Sequence, residues 1–238
     1  MPTPMPTLAP TTPQPSTAAP TCVGQSLDVC IIVDESGSIC SLNSPRTCTG
    51  GSCAAVDPIT GSTFCDGPFT GDGCDFENGC PRFNDIAGDD TPNVKNFAKR
   101  FIDEFEDQLA NKGATSQYSV VEFATLADVT IGLTTPAAAK AAVNAIVYSG
   151  GFTNLQQGIL KCNATLKESK ADVKSIIGIT DGTPTARDDG SSSNRCLPGT
   201  APNTACKAAA EAAADDAKAA GIDIATVYVL GGPSDGSI

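Results

Sequence analysis

Two stretches constrain this chain more than any others: "LDVCIIVD", residues 27–34, and "VKSIIGITD", residues 173–181. Each is an apolar run that does not alternate with polar residues, and each ends in an aspartate. A strand with one wet face alternates, so runs of this kind call for strands covered on both faces, as in a parallel sheet packed between helices. At 238 residues and 40% hydrophobic content, the chain is large enough to bury such a sheet in one sizeable domain.

The intervening segments supply the covering elements. A first strand is expected at about 27–33. "TPNVKNFAKRFIDEFEDQLANKG" reads as an amphipathic helix begun by Thr91-Pro92 and closed by Gly113, with Val94, Phe97, Ala98, Phe101, Phe105 and Leu109 on one face. "QYSVVEFA" and "ADVTIGL" read as a hairpin across a short "TL" connection, and "PAAAKAAVNAIVYSGG" as a helix ended by glycines. "TNLQQGILKCNATLKES" is a further helix with Thr153 at or near its N-cap. An Ala-rich helix from about Ala205 to Ala220, stopped by Gly221, leads to a last strand, "IDIATVYVL". This rhythm predicts an α/β fold: a doubly wound, mostly parallel central sheet flanked by helices. In such sheets sites form outside the carboxyl ends of the strands, where the chain order reverses. Asp34 and Asp181 both fall on that edge.

Two regions lie outside the rhythm. Residues 1–21 alternate Pro with Thr, Ser and Ala, the composition of an extended stalk or linker, either O-glycosylated or bare. About 41–90 is rich in Gly, Asp, Asn and Cys without a period, and reads as an irregular, disulfide-held insertion. The chain has 11 cysteines and no histidine. Cys40, Cys48, Cys53, Cys65, Cys74 and Cys80 form no C-x-x-C pair, so disulfides in an oxidising compartment are favoured over zinc. Cys196 and Cys206 are close enough to close a local loop, whereas Cys30 reads as a small core residue.

Without histidine the commonest general base is missing, and a net charge of −12 argues against nucleic acid or an anionic membrane as partner. No stretch is long enough to span a membrane, and residues 1–21 have neither the charged nor the apolar part of a secretory signal. The chain is therefore expected to be a piece of a longer secreted or surface protein. Asn163-Ala164-Thr165 is a glycosylation acceptor in that setting.

The strand ending in "DESGS" carries more oxygen than a turn needs. Singly, Asp34 and Asp181 read as turn residues, Ser36 and Ser38 as loop hydroxyls and Thr153 as a cap. Together they make an all-oxygen set of two carboxylates and three hydroxyls at one sheet edge, suited to a small hard cation. Mg²⁺ is favoured, with Mn²⁺ or Ca²⁺ as alternatives. "DESGS", "SGGFTNLQQGI" and "GITDGTP" together resemble the von Willebrand factor type A (vWA) domain with a complete metal-ion-dependent adhesion site, of the integrin I-domain kind. The resemblance runs over about 27–230, within a domain taken as 22–238. It implies that Asp34, Ser36, Ser38, Thr153 and Asp181 are the metal ligands, and that an acidic side chain of a partner protein completes the coordination.

The chain also departs from that family. About fifty residues intervene between the DxSxS loop and the first long helix, where the family has a few, and the reading favours a recognition surface over a shield. Within them Asp72, Asp75 and Glu77 form either an additional Ca²⁺ site or, the favoured reading, a solvated acidic loop. The family has one more strand and a terminal helix, so the domain is expected to be C-terminally incomplete after its fifth strand. The resemblance also suggests that Cys22 pairs with a cysteine beyond the domain's end. The leading expectation is an extracellular adhesion or ligand-binding module. The alternative is a structural component of extracellular matrix or cell wall. A hydrolase reading would rest on Glu35 as base, which should point away from an ion held by Asp34 and Ser36, and the chain is not expected to be an enzyme.

Overall fold

The computed structural model describes residues 24–41, 55–56, 63–64, 83, 93–196 and 203–229. The stalk at 1–21, Cys22, Cys48, Cys53, Cys65, Cys74, Cys80, most of the 41–90 insertion with Asp72, Asp75 and Glu77, and the tail after Val229 lie outside the described residues.

Seven strands and five α-helices are described. They run β1 (Ser26–Asp34), α1 (Gly37–Ser41), β2 (Ala55–Val56), β3 (Thr63–Phe64), α2 (Val94–Ala110), β4 (Thr115–Phe123) and β5 (Ala127–Thr134). The chain continues through α3 (Pro136–Ala145), α4 (Leu155–Lys167), β6 (Val173–Thr180), α5 (Asn203–Ala219) and β7 (Asp223–Tyr228). Five strands form one sheet in the order β5-β4-β1-β6-β7, and β2 pairs with β3 in a separate two-stranded ribbon. β1 lies parallel to both β4 and β6, and β6 is parallel to β7, whereas β4 and β5 form the expected antiparallel hairpin. The fold is thus the predicted α/β architecture with a mostly parallel sheet between helices.

β1 is central because every residue after Ser26 is buried. Its two faces feed two cores. Leu27, Val29, Ile31 and Val33 pack with Val94, Ala98 and Ile102 of α2, Ala139 and Val143 of α3, and Phe83. Cys30 and Ile32 face the other way, towards Ile159, Cys162 and Leu166 of α4 and Ala213 and Ala217 of α5. This period-two division follows from the pleat, and each fully buried Ile or Val contributes about 1.5–3 kcal/mol. β7 is mostly exposed, as a strand with one neighbour among the described residues should be.

Several expectations are corrected. Cys30 is not a free core residue: it is bonded to Cys162, tying the middle of β1 to α4. Sequence could not show this because the two lie 132 residues apart and meet only when the helix crosses the strand. The expected Cys196–Cys206 bridge is present. α2 starts later than Thr91-Pro92, with Asn93 as the cap whose side chain accepts from the Asn96 N–H. α3 stops at Ala145, well before the glycines, so residues 146–154 form a connection over the sheet edge. Asn163 is only 3% exposed on α4, so its amide is not presented to a glycosylating enzyme in this fold.

Candidate metal centre

Asp34 ends β1 at 0% exposure, and its two oxygens are held separately. Oδ1 accepts from the Ser36 N–H at 2.8 Å, and Oδ2 accepts from the hydroxyl of Thr180, the last residue of the neighbouring β6. No cationic side chain pairs with Asp34 among the described residues. Burial is the main cause that raises its pKa to about 7; hydrogen bonds from Ser36 and Thr180 oppose the shift and the charge of Asp181 adds to it. A carboxyl in this setting is short of positive charge.

The hydroxyls join the two strand ends. Ser36 Oγ and Ser38 Oγ lie 3.1 Å apart, Thr153 donates its hydroxyl to Ser36 Oγ at 3.1 Å, and Ser38 donates to Asp181 Oδ1 at 2.7 Å. All five predicted residues therefore meet in one continuous contact set built from three loops. Gly182 borders it, where a Cβ would sit 3.2 Å from Ser38 Oγ and 3.4 Å from Thr153 Oγ1. Among the described residues no group of three or more His, Cys, Asp or Glu side chains could hold a metal. An ion here would depend on hydroxyls and water beside two carboxylates, an all-oxygen donor set that fits a divalent cation.

Thr153 owes its position to not being the cap. Asn154 caps α4 instead, its Oδ1 accepting from the Gln157 N–H, while its Nδ2 donates to the carbonyls of Thr125 and Asp188. Thr153 is pinned by backbone: its N–H donates to Thr185 Oγ1, and its carbonyl accepts from the N–H groups of Thr185 and Ala186. Its hydroxyl is left to face Ser36.

Sequence reasoning missed the clamp that holds the Asp34 loop. Gly37 N–H donates to the Gly151 carbonyl and Gly150 N–H to the Glu35 carbonyl, while the Tyr148 hydroxyl donates to the Ser36 carbonyl. Gly151 has φ of +100°, and a Cβ there would lie 2.6 Å from Thr125 Oγ1, so only glycine fits. The adjacent glycines after "YS" were the signal for this strained crossing, although they read as a helix stop. The Glu35 carboxylate is turned to Ser149, accepting from its N–H and its hydroxyl, and burial raises its pKa to about 7.

Residues 86–183 match the family model described as von Willebrand factor type A domain, a span that includes Thr153 and Asp181 and begins after the DxSxS loop. Among solved structures, the pilus adhesin SpaC from Lactobacillus rhamnosus GG aligns at 17% identity and TM-score 0.51, covering 85% of this chain and 24% of that one. A mutant of the PilB minor pilin from Streptococcus sanguinis aligns at 12% identity and TM-score 0.51, covering 89% of this chain and 59% of that one. Three N-terminal domains of the type V pili tip protein Mfa5 from Porphyromonas gingivalis align at 15% identity and TM-score 0.41, with 68% of this chain and 21% of that one covered. This chain thus spans about a fifth of the Mfa5 structure. At 17% and 12% identity, SpaC and PilB show a likeness of fold and nothing beyond it. No curated protein sequence matches the chain at a significant level.

Proposed function

We propose that this is a vWA domain acting as an extracellular ligand-binding module, with Asp34, Ser36, Ser38, Thr153 and Asp181 holding a divalent cation. The convergence of those five oxygen-bearing side chains from three loops carries the reading. Mg²⁺ is the preferred ion, with Mn²⁺ and Ca²⁺ as alternatives. When bound, it supplies positive charge and an open coordination position for an acidic side chain of a partner protein. The chain's own residues set this up: three neutral hydroxyls leave the charge incompletely neutralised, Gly151 lets the backbone pass close to Thr125, and Gly182 leaves Ser38 and Thr153 uncrowded.

The likeness to the SpaC and PilB folds agrees with an adhesive role outside the cell, as do the two disulfides among the described residues. No helix among the described residues is long and apolar enough to cross a membrane. The engagement of Glu35 by Ser149 supports a binding module over a hydrolase, since a base must reach the reacting proton.

The test is calorimetric titration of Mg²⁺, Mn²⁺ and Ca²⁺ into oxidised, metal-stripped protein. Wild type is expected to bind one ion, while Thr153→Ala and Asp181→Ala, shown folded by circular dichroism, lose at least ~tenfold in affinity, about 1.4 kcal/mol. A folded wild type that takes up no ion, or variants that bind as wild type does, would overturn the reading. Self-association insensitive to EDTA would favour the matrix component instead.

A further inference from the structure

Asp181 is followed by a small hairpin whose first strand pins Thr153 and which supplies no proposed cation ligand. Its strands meet at the Ala186–Arg195 bridge, with Arg187 N–H donating to the Asn194 carbonyl and Cys196 N–H to the Thr185 carbonyl. The Cys196–Cys206 disulfide ties its base to α5. Its tip is seated on the loops beside Thr153. At Gly190, φ +66°, a Cβ would fall 2.7 Å from the Thr125 carbonyl oxygen, and the Asp188 carbonyl accepts from Asn154 Nδ2. The hairpin is therefore fixed against the residues on either side of the Thr153 loop.

One side chain on it is held in place by an aromatic ring. The Arg195 guanidinium carbon lies 4.3 Å from the ring centroid of Phe152, the residue before Thr153, and Nε donates to the Gly190 carbonyl at 3.3 Å. Its Nη atoms make no hydrogen bond or ion pair with any described residue, and the residue is exposed. The neighbouring Arg187, by contrast, pairs with Asp188 at 3.0 Å. Stacking on the aromatic face and the Nε bond fix the plane of the guanidinium, so the rotamer freedom normally lost on binding is already spent. The open edge presents paired N–H donors, the geometry that takes a carboxylate with two parallel hydrogen bonds. Leu126, next to the Thr125 whose hydroxyl accepts from the Phe152 N–H, is 58% exposed.

We propose that Arg195, seated on Phe152, is a second carboxylate anchor beside the proposed cation site, so that the partner is an acidic segment carrying two acidic side chains. One reaches the ion and the other Arg195. The proposal rests on the metal-centre reading and goes beyond it by defining the class of partner. Arg195 also gives the interface a local positive charge that the rest of the acidic surface withholds, which selects against neutral segments.

The experiment uses the full oxidised chain with Mg²⁺ and a set of Ala-based peptides, one with a single Asp and others with two Asp separated by one to four residues. Affinities are read by fluorescence anisotropy with and without EDTA, and Mg²⁺ affinity is measured separately by calorimetry. In wild type the best-spaced two-Asp peptide should bind at least ~tenfold tighter than the single-Asp peptide, as a charge-assisted bidentate contact implies. Arg195→Gln should abolish that advantage while leaving the single-Asp peptide and Mg²⁺ affinities unchanged. Arg195→Lys, which keeps the charge and the ring contact but not the fork, should retain only part of it and serves should the Gln variant fail to fold. Equal affinity of wild type for both peptide types, an undiminished advantage in Arg195→Gln, or Mg²⁺ uptake with no peptide binding overturns this proposal alone. Failure of wild type to bind Mg²⁺ appears in calorimetry and overturns the metal-centre reading together with it.

Discussion

The two faces of β1 are built on different principles. On the α2/α3 side the space is filled by bulk: Ile102, Tyr118 and Phe83 are fully buried, and Phe97, Phe101, Phe105 and Leu109 pack around them. On the α4/α5 side Phe123, Leu166, Ile176 and Ile222 also fill space, but the closure is completed by close approach. Gly158 brings α4 so near the sheet that a Cβ there would sit 2.8 Å from Ile32 Cγ2, alanines line α5, and the Cys30–Cys162 bond crosses between strand and helix. The site explains the difference. Asp34 ends the strand in this bond and Thr153 sits just ahead of the helix in it, so helix-to-strand spacing on this side sets the distance between Thr153 and Ser36. A face filled by large side chains relaxes around a change, whereas a face held by contact and a covalent link passes it on.

The largest test of that contrast is the disulfides themselves. Removing Cys30–Cys162 in a Cys30→Ala/Cys162→Ala protein should cost about 4–5 kcal/mol in oxidising urea denaturation, because it frees a long loop in the unfolded chain. Removing Cys196–Cys206, with a separation of 10 residues, should cost about 3 kcal/mol or less. The reverse order would show that the core bond is not what holds α4 to β1.

A paired comparison of the faces comes next. Ile102→Ala should destabilise by about 3 kcal/mol through the cavity it leaves, yet bind the cation as wild type does. Gly158→Val should cost about 2 kcal/mol by overpacking against Ile32 and also weaken the cation roughly fivefold or more, since α4 carries Thr153 with it as it moves away. Equal cation affinity in both folded variants, by calorimetry, would remove the mechanical distinction between the faces.

The smallest effect is expected at the far edge of the sheet. Asp172 Oδ2 accepts from both the N–H and the hydroxyl of Ser26, and these bonds hold its pKa below the ordinary value of 3.8. Because the folded pKa is the lower one, its contribution to stability is present above the unfolded value and fades as pH falls through and below it. The melting temperatures of wild type and Asp172→Asn should therefore differ slightly at pH 7 and converge towards pH 3, with cation affinity unchanged. A gap that widens in acid would reverse the assignment.

The fold class was legible because it rests on local pattern. Residues 27–34 cannot be half-exposed, the α2 segment repeats at helical spacing, and Gly113 and Gly221 mark stops that their positive φ values bear out. That Asp34, Ser36, Ser38, Thr153 and Asp181 meet at one sheet edge was legible as well, although the short helix that carries Ser38 was not. Boundaries were less so: Asn93 and not Thr91 caps α2, and Asn154 caps α4, because a cap is decided by which side chain can turn back on its own helix.

Sequence by itself determined which segments become strands and helices and which oxygen-bearing side chains stand at the sheet edge. Only the tertiary structure decided the Cys30–Cys162 bond, the hold of residues 148–151 on the Asp34 loop, and the placing of Arg195 on Phe152. The physical reason is separation along the chain. Hydrophobic period and turn chemistry act within a few residues and leave their mark there, whereas these contacts join residues that nothing brings together until the sheet and its helices have packed.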